Sequence, residues 1–325
     1  MELFRKILEI DSTSGKEREL ALKLYDWLEA PSKELMEVGD GSLNLLLSWG
    51  QPKVVYCTHL DTVPPYIPPV FGDDGIVRGR GACDAKGQIY SMYRACKELE
   101  RQGKSGFALL LLSGEETGSF GAKAFNGRLQ APLLVVGEPT ENIPASASKG
   151  TKCFDLTFKG KPFHSGYPEK GRSAVEMWMD FMIELEIESD FKKDPLLGET
   201  TWNVGRLLSN NPQNVLSPQL SCTLYFRTTF ASDEAVQKWM ERKKGPDINI
   251  VARGGDAPAR YFVPEGFKGK SVAFGSDAPQ LQGFDKKIIC GPGSIFTAHR
   301  DDECIDIKDI ETAINNNLKF YESCD

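Results

Sequence analysis

Histidine is scarce in this chain, with three residues in 325. Long hydrophobic runs are missing altogether. The longest purely aliphatic stretch, Ala108 to Leu112, falls far short of the roughly 20 residues needed to cross a bilayer, so no membrane association is expected. Met1-Glu2-Leu3-Phe4-Arg5-Lys6 has no apolar h-region and no small-residue cleavage site, so no secretory signal is expected either. Positive charge is in deficit, 39 Lys and Arg against 46 Asp and Glu, for a net charge of −7. Nucleic-acid binders carry a basic face, and Arg242-Lys243-Lys244 is too short a cluster to make one; it reads as a solvated helix end. No two cysteines form a CxxC pair. The eight are scattered between Cys57 and Cys324, a pattern that suits reduced thiols in a cytosol, most of them packing residues.

Three familiar active-site signatures are absent as well. Gly118-Ser119-Phe120-Gly121 has the wrong spacing for a GxSxG nucleophile elbow. Gly269-Lys270-Ser271 mimics the end of a P-loop, but Pro264 stands where its first glycine belongs. Gly79-Arg80-Gly81 lacks the third glycine of a dinucleotide fingerprint, because Asp84 occupies that place.

What the chain does contain is 40% apolar residues, enough for two modest globular domains or one large α/β domain. Strand signals are of two kinds. Lys53–Cys57, Phe107–Leu112, Pro132–Val136 and Lys287–Cys290 are continuous apolar runs, which suit parallel strands buried on both faces. Helical patterns lie between them. The first has a capping box from Ser14 to Glu17, then Leu20, Leu24, Trp27 and Leu28 on one face. Another helix is expected over about 84–101, and a last one carries Ile307, Ile310, Ile314, Leu318 and Tyr321. Alternating strands and helices predict a mostly parallel α/β domain.

From about 150 to 255 the texture changes. Leu220, Cys222, Leu224 and Phe226 alternate with polar residues, as do Phe154, Leu156 and Phe158; period two marks an antiparallel sheet with one wet face. The expected elements are strand 151–159, helix 172–188, strands 201–208 and 219–229, helix 232–243 and strand 247–252. That is the β-α-β-β-α-β order of a ferredoxin-like unit. Residues 150–255 are therefore predicted to be a domain inserted into an α/β domain built from 1–149 and 256–325. Pro64-Pro65-Tyr66-Ile67-Pro68-Pro69 reads as a stiff loop on a site rim.

His59, Glu115, Glu116, Glu138 and His299 all fall just beyond predicted strand ends, and Asp84 opens a helix. Ligands of open α/β sheets bind outside the carboxyl ends of the strands, so the fold would gather these groups on one edge. Carboxylates converging there repel one another unless cations neutralise them. Two histidines and three carboxylates suit a pair of zinc-like ions, with one carboxylate bridging. The remaining carboxylate of Glu115-Glu116 is then free to act as general base. Asp61, two residues from His59, is placed to orient that imidazole. Cys57 and Cys83 lie near these ligands but read as packing residues.

The chain resembles the co-catalytic zinc amidohydrolases and peptidases that include acetylornithine deacetylase, acetylcitrulline deacetylase, succinyl-diaminopimelate desuccinylase, aminoacylase and glutamate carboxypeptidase. The resemblance rests on His59-Leu60-Asp61-Thr62-Val63-Pro64, the stretch Gly79–Gly87, and Gly114-Glu115-Glu116-Thr117-Gly118. It continues in Gly137-Glu138-Pro139-Thr140, His164-Ser165-Gly166-Tyr167-Pro168 and Gly291-Pro292-Gly293 with His299. It implies a zinc-exopeptidase-like catalytic domain whose insert is a lid and dimerisation domain. By the resemblance, His59 and Glu138 bind one metal, Glu116 and His299 the other, and Asp84 bridges them. Glu115 is implied as the base, and a cis peptide is implied at Asp84-Ala85. His164 is implied to reach the partner subunit's active site and stabilise the oxyanion, and Arg227 and Asn214 to contact the substrate carboxylate and nearby groups.

His59–Pro64, Trp202–Arg206 and Gly275–Pro279 look most like the acetylornithine and acetylcitrulline branch. Against its relatives, Ala257–Lys270 is too short for a further helix and loop that would wall the pocket. The expectation is a cytosolic homodimer with two Zn2+ (or Co2+) ions per subunit. It would hydrolyse an N-acyl amino acid, N-acetylornithine first (a step of arginine biosynthesis), with N-acetylcitrulline or a succinyl-diaminopimelate as alternatives. A dipeptidase or carboxypeptidase with the same metals is the second enzyme reading. A catalytically silent scaffold is the rival class, and the presence of Glu115 speaks against it.

Overall fold

The computed structural model describes residues 1–188 and 191–324. The chain divides into two compact units: Met1–Ser146 with Tyr261–Lys270 and Ser276–Asp325, and Ala147–Arg260 with Ser271–Gly275.

The first unit is built on a six-stranded sheet. Ser32–Gly39 and Ser42–Trp49 form an antiparallel hairpin whose second strand pairs with Phe107–Leu112. From there Phe107–Leu112, Val54–His59, Ala131–Val136 and Phe284–Ile289 lie side by side and parallel. Val54–His59 and Phe107–Leu112 are buried at every residue. That is why Val54–Cys57 and Phe107–Leu112 are unbroken apolar runs: both faces are covered, and each enclosed side chain of this size contributes about 1.5–3 kcal/mol. The helix Lys86–Arg101 packs on the sheet and on the C-terminal helix Ile307–Glu322.

The four strands expected from apolar runs are all present, and so are the three helices expected for this unit. The hairpin over 32–49 and the short helices Glu2–Leu8 and Phe120–Phe125 were not expected. Ser32–Gly39 buries only Met36 fully, so its sequence carries no apolar run to announce it. The predicted Ser14–Glu17 capping box does not form. Ser14 Oγ donates instead to the buried Asp61 carboxylate at 2.9 Å, and the Glu17 carboxylate accepts from the Gly15 N–H and Ser42 Oγ. A charge-assisted bond to a buried carboxylate outcompetes a backbone cap.

The second unit contains the strands Gly150–Lys159, Thr201–Leu208, Gln219–Thr228 and Ile248–Gly254 and the helices Ala174–Glu188 and Asp233–Arg242, in β-α-β-β-α-β order. The sheet is antiparallel, with 219–228 and 150–159 central and 201–208 and 248–254 at the edges. Leu220, Cys222, Leu224 and Phe226 point into the core with Phe154, Leu156 and Phe158, where Phe181, Trp239 and Met240 of the two helices meet them. Among the described residues, no helix is long and apolar enough to cross a membrane.

Candidate active site

Because four strands run parallel, their carboxyl ends share one edge, and the chain delivers chemistry to it from each. His59 is the last residue of Val54–His59. Glu115 and Glu116 follow Phe107–Leu112 through Ser113-Gly114. Gly114 has φ +71°, and a Cβ there would overlap the Phe120 ring, so this turn needs glycine. Glu138 comes two residues after Ala131–Val136, and His299 lies in the loop beyond Phe284–Ile289. Asp84 stands just before the helix Lys86–Arg101, joined to Ala85 by a cis peptide bond.

These side chains converge. Donor atoms of His59, Asp84 and Glu138 lie within 4.8 Å of one another, as do those of Asp84, Glu116 and His299 and those of His59, Glu115 and Glu116. His59 Nε2 is 3.0 Å from Asp84 Oδ1, while His299 Nε2 is 3.2 Å from Asp84 Oδ2 and 2.9 Å from Glu116 Oε1. Asp84 therefore turns one carboxylate oxygen to each imidazole. His59 and Asp84 are buried, whereas the His299 side chain is 47% exposed, so the cluster opens to solvent on the His299 side. His59 Nδ1 lies 2.8 Å from the carbonyl of Asp61. A carbonyl only accepts, so we assign the proton to Nδ1, leaving Nε2 turned to the cluster.

The electrostatics are those of a crowded acidic pocket. Burial pushes the Glu138 carboxyl well above its ordinary value, and the charges of Glu115 and Asp84 push the same way. Burial also raises Glu115 well above the usual range, with Asp277 and Glu116 adding to it and His59 opposing. Hydrogen bonds to Asp84 and Glu116 lift His299 to about 10. Burial opposes protonation of His59, but the Asp61 and Asp84 carboxylates outweigh it and raise this imidazole too. Conversely, Asp84 sits well below its usual value: burial works to raise it, and hydrogen bonds from His299 and His59 prevail. Positive charge is thus drawn in from every available group.

Two divalent cations fit this donor set. It offers carboxylate oxygens and imidazole nitrogens, one carboxylate is shared between two clusters, and one imidazole is oriented by a backbone carbonyl. The nearest thiols do not join in. Among the described residues neither Cys57 nor Cys83 belongs to the converging donor groups, and burial raises both thiols well above their ordinary range.

Asp61 meets His59 Nδ1 through its carbonyl and, more distantly, its carboxylate, and it has a second set of partners. Its Oδ1 stands 3.6 Å from His59 Nδ1, farther than its own carbonyl. The carboxylate also accepts the backbone N–H groups of Glu115 at 3.0 Å and Glu116 at 3.3 Å. It holds the Glu115-Glu116 turn in place. The spacing His59-Leu60-Asp61 announces nearness to His59, but nothing local announces a bond to a turn more than fifty residues away.

Two further features escaped the sequence reading. Arg80 and Glu303, both 1% exposed, form an ion pair beside Asp84. Asp277, also 1% exposed, has neither carboxylate oxygen hydrogen-bonded among the described residues. Burial raises Asp277 to about 6, with Asp61 adding to it and His59 opposing. A carboxyl raised by folding destabilises the fold once ionised. The penalty is absent below its unfolded value near 3.8, grows as pH rises, and is complete above about 6. That gap corresponds to ~3 kcal/mol. In metal-free protein, Asp277→Asn should therefore gain up to about 3 kcal/mol on the parent between pH 4 and pH 8. Urea unfolding with chelator at both pH values measures this; an unchanged difference contradicts it.

In the second unit, His164 is exposed, and its Nδ1 accepts the Gly166 N–H at 3.1 Å. Nε2 is thereby left as the donor. Asn214 is its neighbour: the Asn214 carbonyl accepts the Ser165 N–H at 2.9 Å, and His164 bridges to Val215. Arg227 lies on the strand Gln219–Thr228 with its guanidinium 5.1 Å from the Tyr225 ring centre. No described contact joins Arg227 to His164 or Asn214.

Comparison with known proteins places these features in a family. A model described as Peptidase family M20/M25/M40 matches residues 55–322. A protein of Aspergillus oryzae named a probable carboxypeptidase is 29% identical, covering 97% of this chain and 87% of its own. Among solved structures, a tripeptidase from Staphylococcus aureus superposes with a TM-score of 0.81 at 18% identity, over 99% of this chain and 97% of that one. A Bacillus subtilis protein described as a dinuclear metal binding peptidase superposes with a TM-score of 0.67 at 14% identity, over 99% and 96%.

Proposed function

This chain belongs to peptidase family M20/M25/M40 and is a hydrolase of that family, and from that premise we propose that it cleaves the amide bond of a small N-acyl amino acid or short peptide. The observation that carries the reading is the shared carboxylate of Asp84 between His59 and His299, with Glu115 beside them. His59 and Glu138 would hold one divalent cation, Glu116 and His299 the other, and Asp84 both. Zinc is the favoured ion and cobalt the second choice. The chemistry such a pair supplies is Lewis acidity toward the attacking water and the scissile carbonyl.

The chain's own residues supply the rest. Asp61 fixes the Glu115 backbone, so the Glu115 carboxylate is aimed at the cluster. Glu115 takes a proton from water as oxygen bonds to the carbonyl carbon, then delivers it to the amide nitrogen as the C–N bond breaks. The products are a carboxylic acid and a free amine. His164, with Nε2–H as donor, is suited to steady the developing oxyanion in its own or its partner's site. Arg227 and Asn214 are proposed to hold the substrate's carboxylate and nearby groups.

We read the second unit as a lid and dimerisation domain. Its helix Ala174–Glu188 leaves Met179, Ile183 and Ile187 exposed four residues apart, an apolar stripe that a second copy would cover. Among the described residues no disulfide is formed, which suits a cytosolic setting.

The narrower reading from the motifs is N-acetylornithine deacylation, with N-acetylcitrulline next. The name of the Aspergillus oryzae relative favours release of a carboxyl-terminal residue from a peptide. Both readings cut the same bond, an amide whose nitrogen belongs to an amino acid with a free carboxylate. We expect the zinc- or cobalt-loaded protein to release free amino acid from a panel of N-acetyl, N-succinyl and N-formyl amino acids and N-blocked dipeptides. Amidating the substrate carboxylate should reduce kcat/KM at least tenfold. Cleavage only of peptides with a free amino terminus and an amidated carboxyl terminus would overturn the reading.

A further inference from the structure

Arg80 and Glu303 are separated by 223 positions, yet Arg80 Nη1 meets Glu303 Oε2 at 2.6 Å in the interior of the first unit. The other oxygen is the informative one. Glu303 Oε1 accepts the backbone N–H groups of both Cys83 and Asp84, each at 3.0 Å. Arg80 Nη1 also donates to the carbonyl of Arg300 at 3.1 Å, and Arg80 Nε to that of Pro65 at 3.2 Å. The backbone of Glu303 takes part too, its carbonyl accepting the Gly79 N–H at 3.0 Å.

The bonds to Cys83, Asp84 and Arg300 end on backbone next to the cluster, while the one to Pro65 runs to a neighbouring loop. Cys83 and Asp84 carry the shared carboxylate. Arg300 follows His299, which sits in the left-handed region at φ +61°. A buried ion pair is poor evidence for stability, since well-packed apolar residues often replace one without loss. A pair that holds both backbone N–H groups of the Asp84 turn and the carbonyl just after His299 instead has the form of an outer-shell support.

Resting on the two-cation reading, we infer that the Arg80–Glu303 pair is a positioning device that fixes the Asp84 turn against the His299 loop. Its effect is on cation binding. The carboxylate holds the Asp84 backbone, the guanidinium holds the loop behind His299, and the charge of each makes burial of the other tolerable.

The test is calorimetric titration of Zn2+ into metal-free protein, with circular dichroism and urea unfolding as the check on the fold. Glu303→Gln should weaken cation binding about 10–100-fold. The double variant Arg80→Met/Glu303→Leu leaves no unpaired buried charge and should still fold cooperatively, at a lower urea concentration than the parent because two buried N–H groups lose their acceptor. It should bind cations at least as weakly as Glu303→Gln, because glutamine keeps one acceptor oxygen for the Cys83 and Asp84 N–H groups and leucine keeps none. Loss of affinity with the fold retained supports the inference. A double variant that folds and binds like the parent overturns it, and so does failure of both variants to fold, which would make the pair a plain requirement of folding. A parent that binds no cation removes the two-cation reading and this inference with it; a binding parent with unaffected variants removes the inference alone.

Discussion

Glu115→Ala should lower turnover by about 10^3-fold or more while the protein still binds two cations per chain. Glu115→Gln should do the same, since it keeps the shape and removes only the proton acceptor. The separation follows from where Glu115 stands. The cation set can be completed without it, by His59, Asp84, Glu138, Glu116 and His299. Its own backbone is held by Asp61, which neither substitution touches. Turnover and metal content measured on the same preparations check this. Activity within tenfold of the parent would take the base assignment away from Glu115.

Asp84→Ala should fail in a different way, by losing cations first. Asp84 gives Oδ1 to the His59 side and Oδ2 to the His299 side, so it is the one residue both clusters share. Taking one member from a buried charged set costs about 3–5 kcal/mol, or ~10^2–10^4 in affinity. Both binding events should weaken by that order, and turnover should vanish with them. Loss of only one cation, with the other bound as in the parent, would mean that Asp84 is not shared. The two variants thus form a pair: Glu115 separates chemistry from binding, and Asp84 ties them together.

Much of this architecture is legible in the sequence, for a physical reason. A parallel strand covered on both faces must be apolar at every position, so Phe107–Leu112 and Val54–Cys57 stand out as unbroken runs. A polar group directly after such a run is at the sheet's carboxyl edge whatever the intervening helices do. His59, Glu115, Glu116 and Glu138 could be gathered on that logic, and His299 through the glycine loop that follows Phe284–Ile289. The insert is legible by period two, because Leu220, Cys222, Leu224 and Phe226 face a core while their neighbours do not.

Other parts carry no such mark. Ser32–Gly39 lies at the sheet edge with charged residues along it, and only Met36 reports a buried face. Ser14 and Glu17 fit a capping pattern, but a carboxylate 47 positions away takes the Ser14 hydroxyl. Arg80, Glu303 and Asp277 look like ordinary loop charges, and their burial is a property of the folded chain alone. Local spacing reports what is near; it does not report which atom of Asp61 faces His59 and which the Glu115 turn.

The central claim is that five side chains from distant parts of the chain hold two cations around Asp84. Crystals grown with Zn2+ and measured across the zinc absorption edge test it most directly. Two anomalous peaks per chain are expected, one beside His59 and Glu138 and one beside Glu116 and His299, with Asp84 reaching both. A single peak, or peaks remote from Asp84, would contradict it.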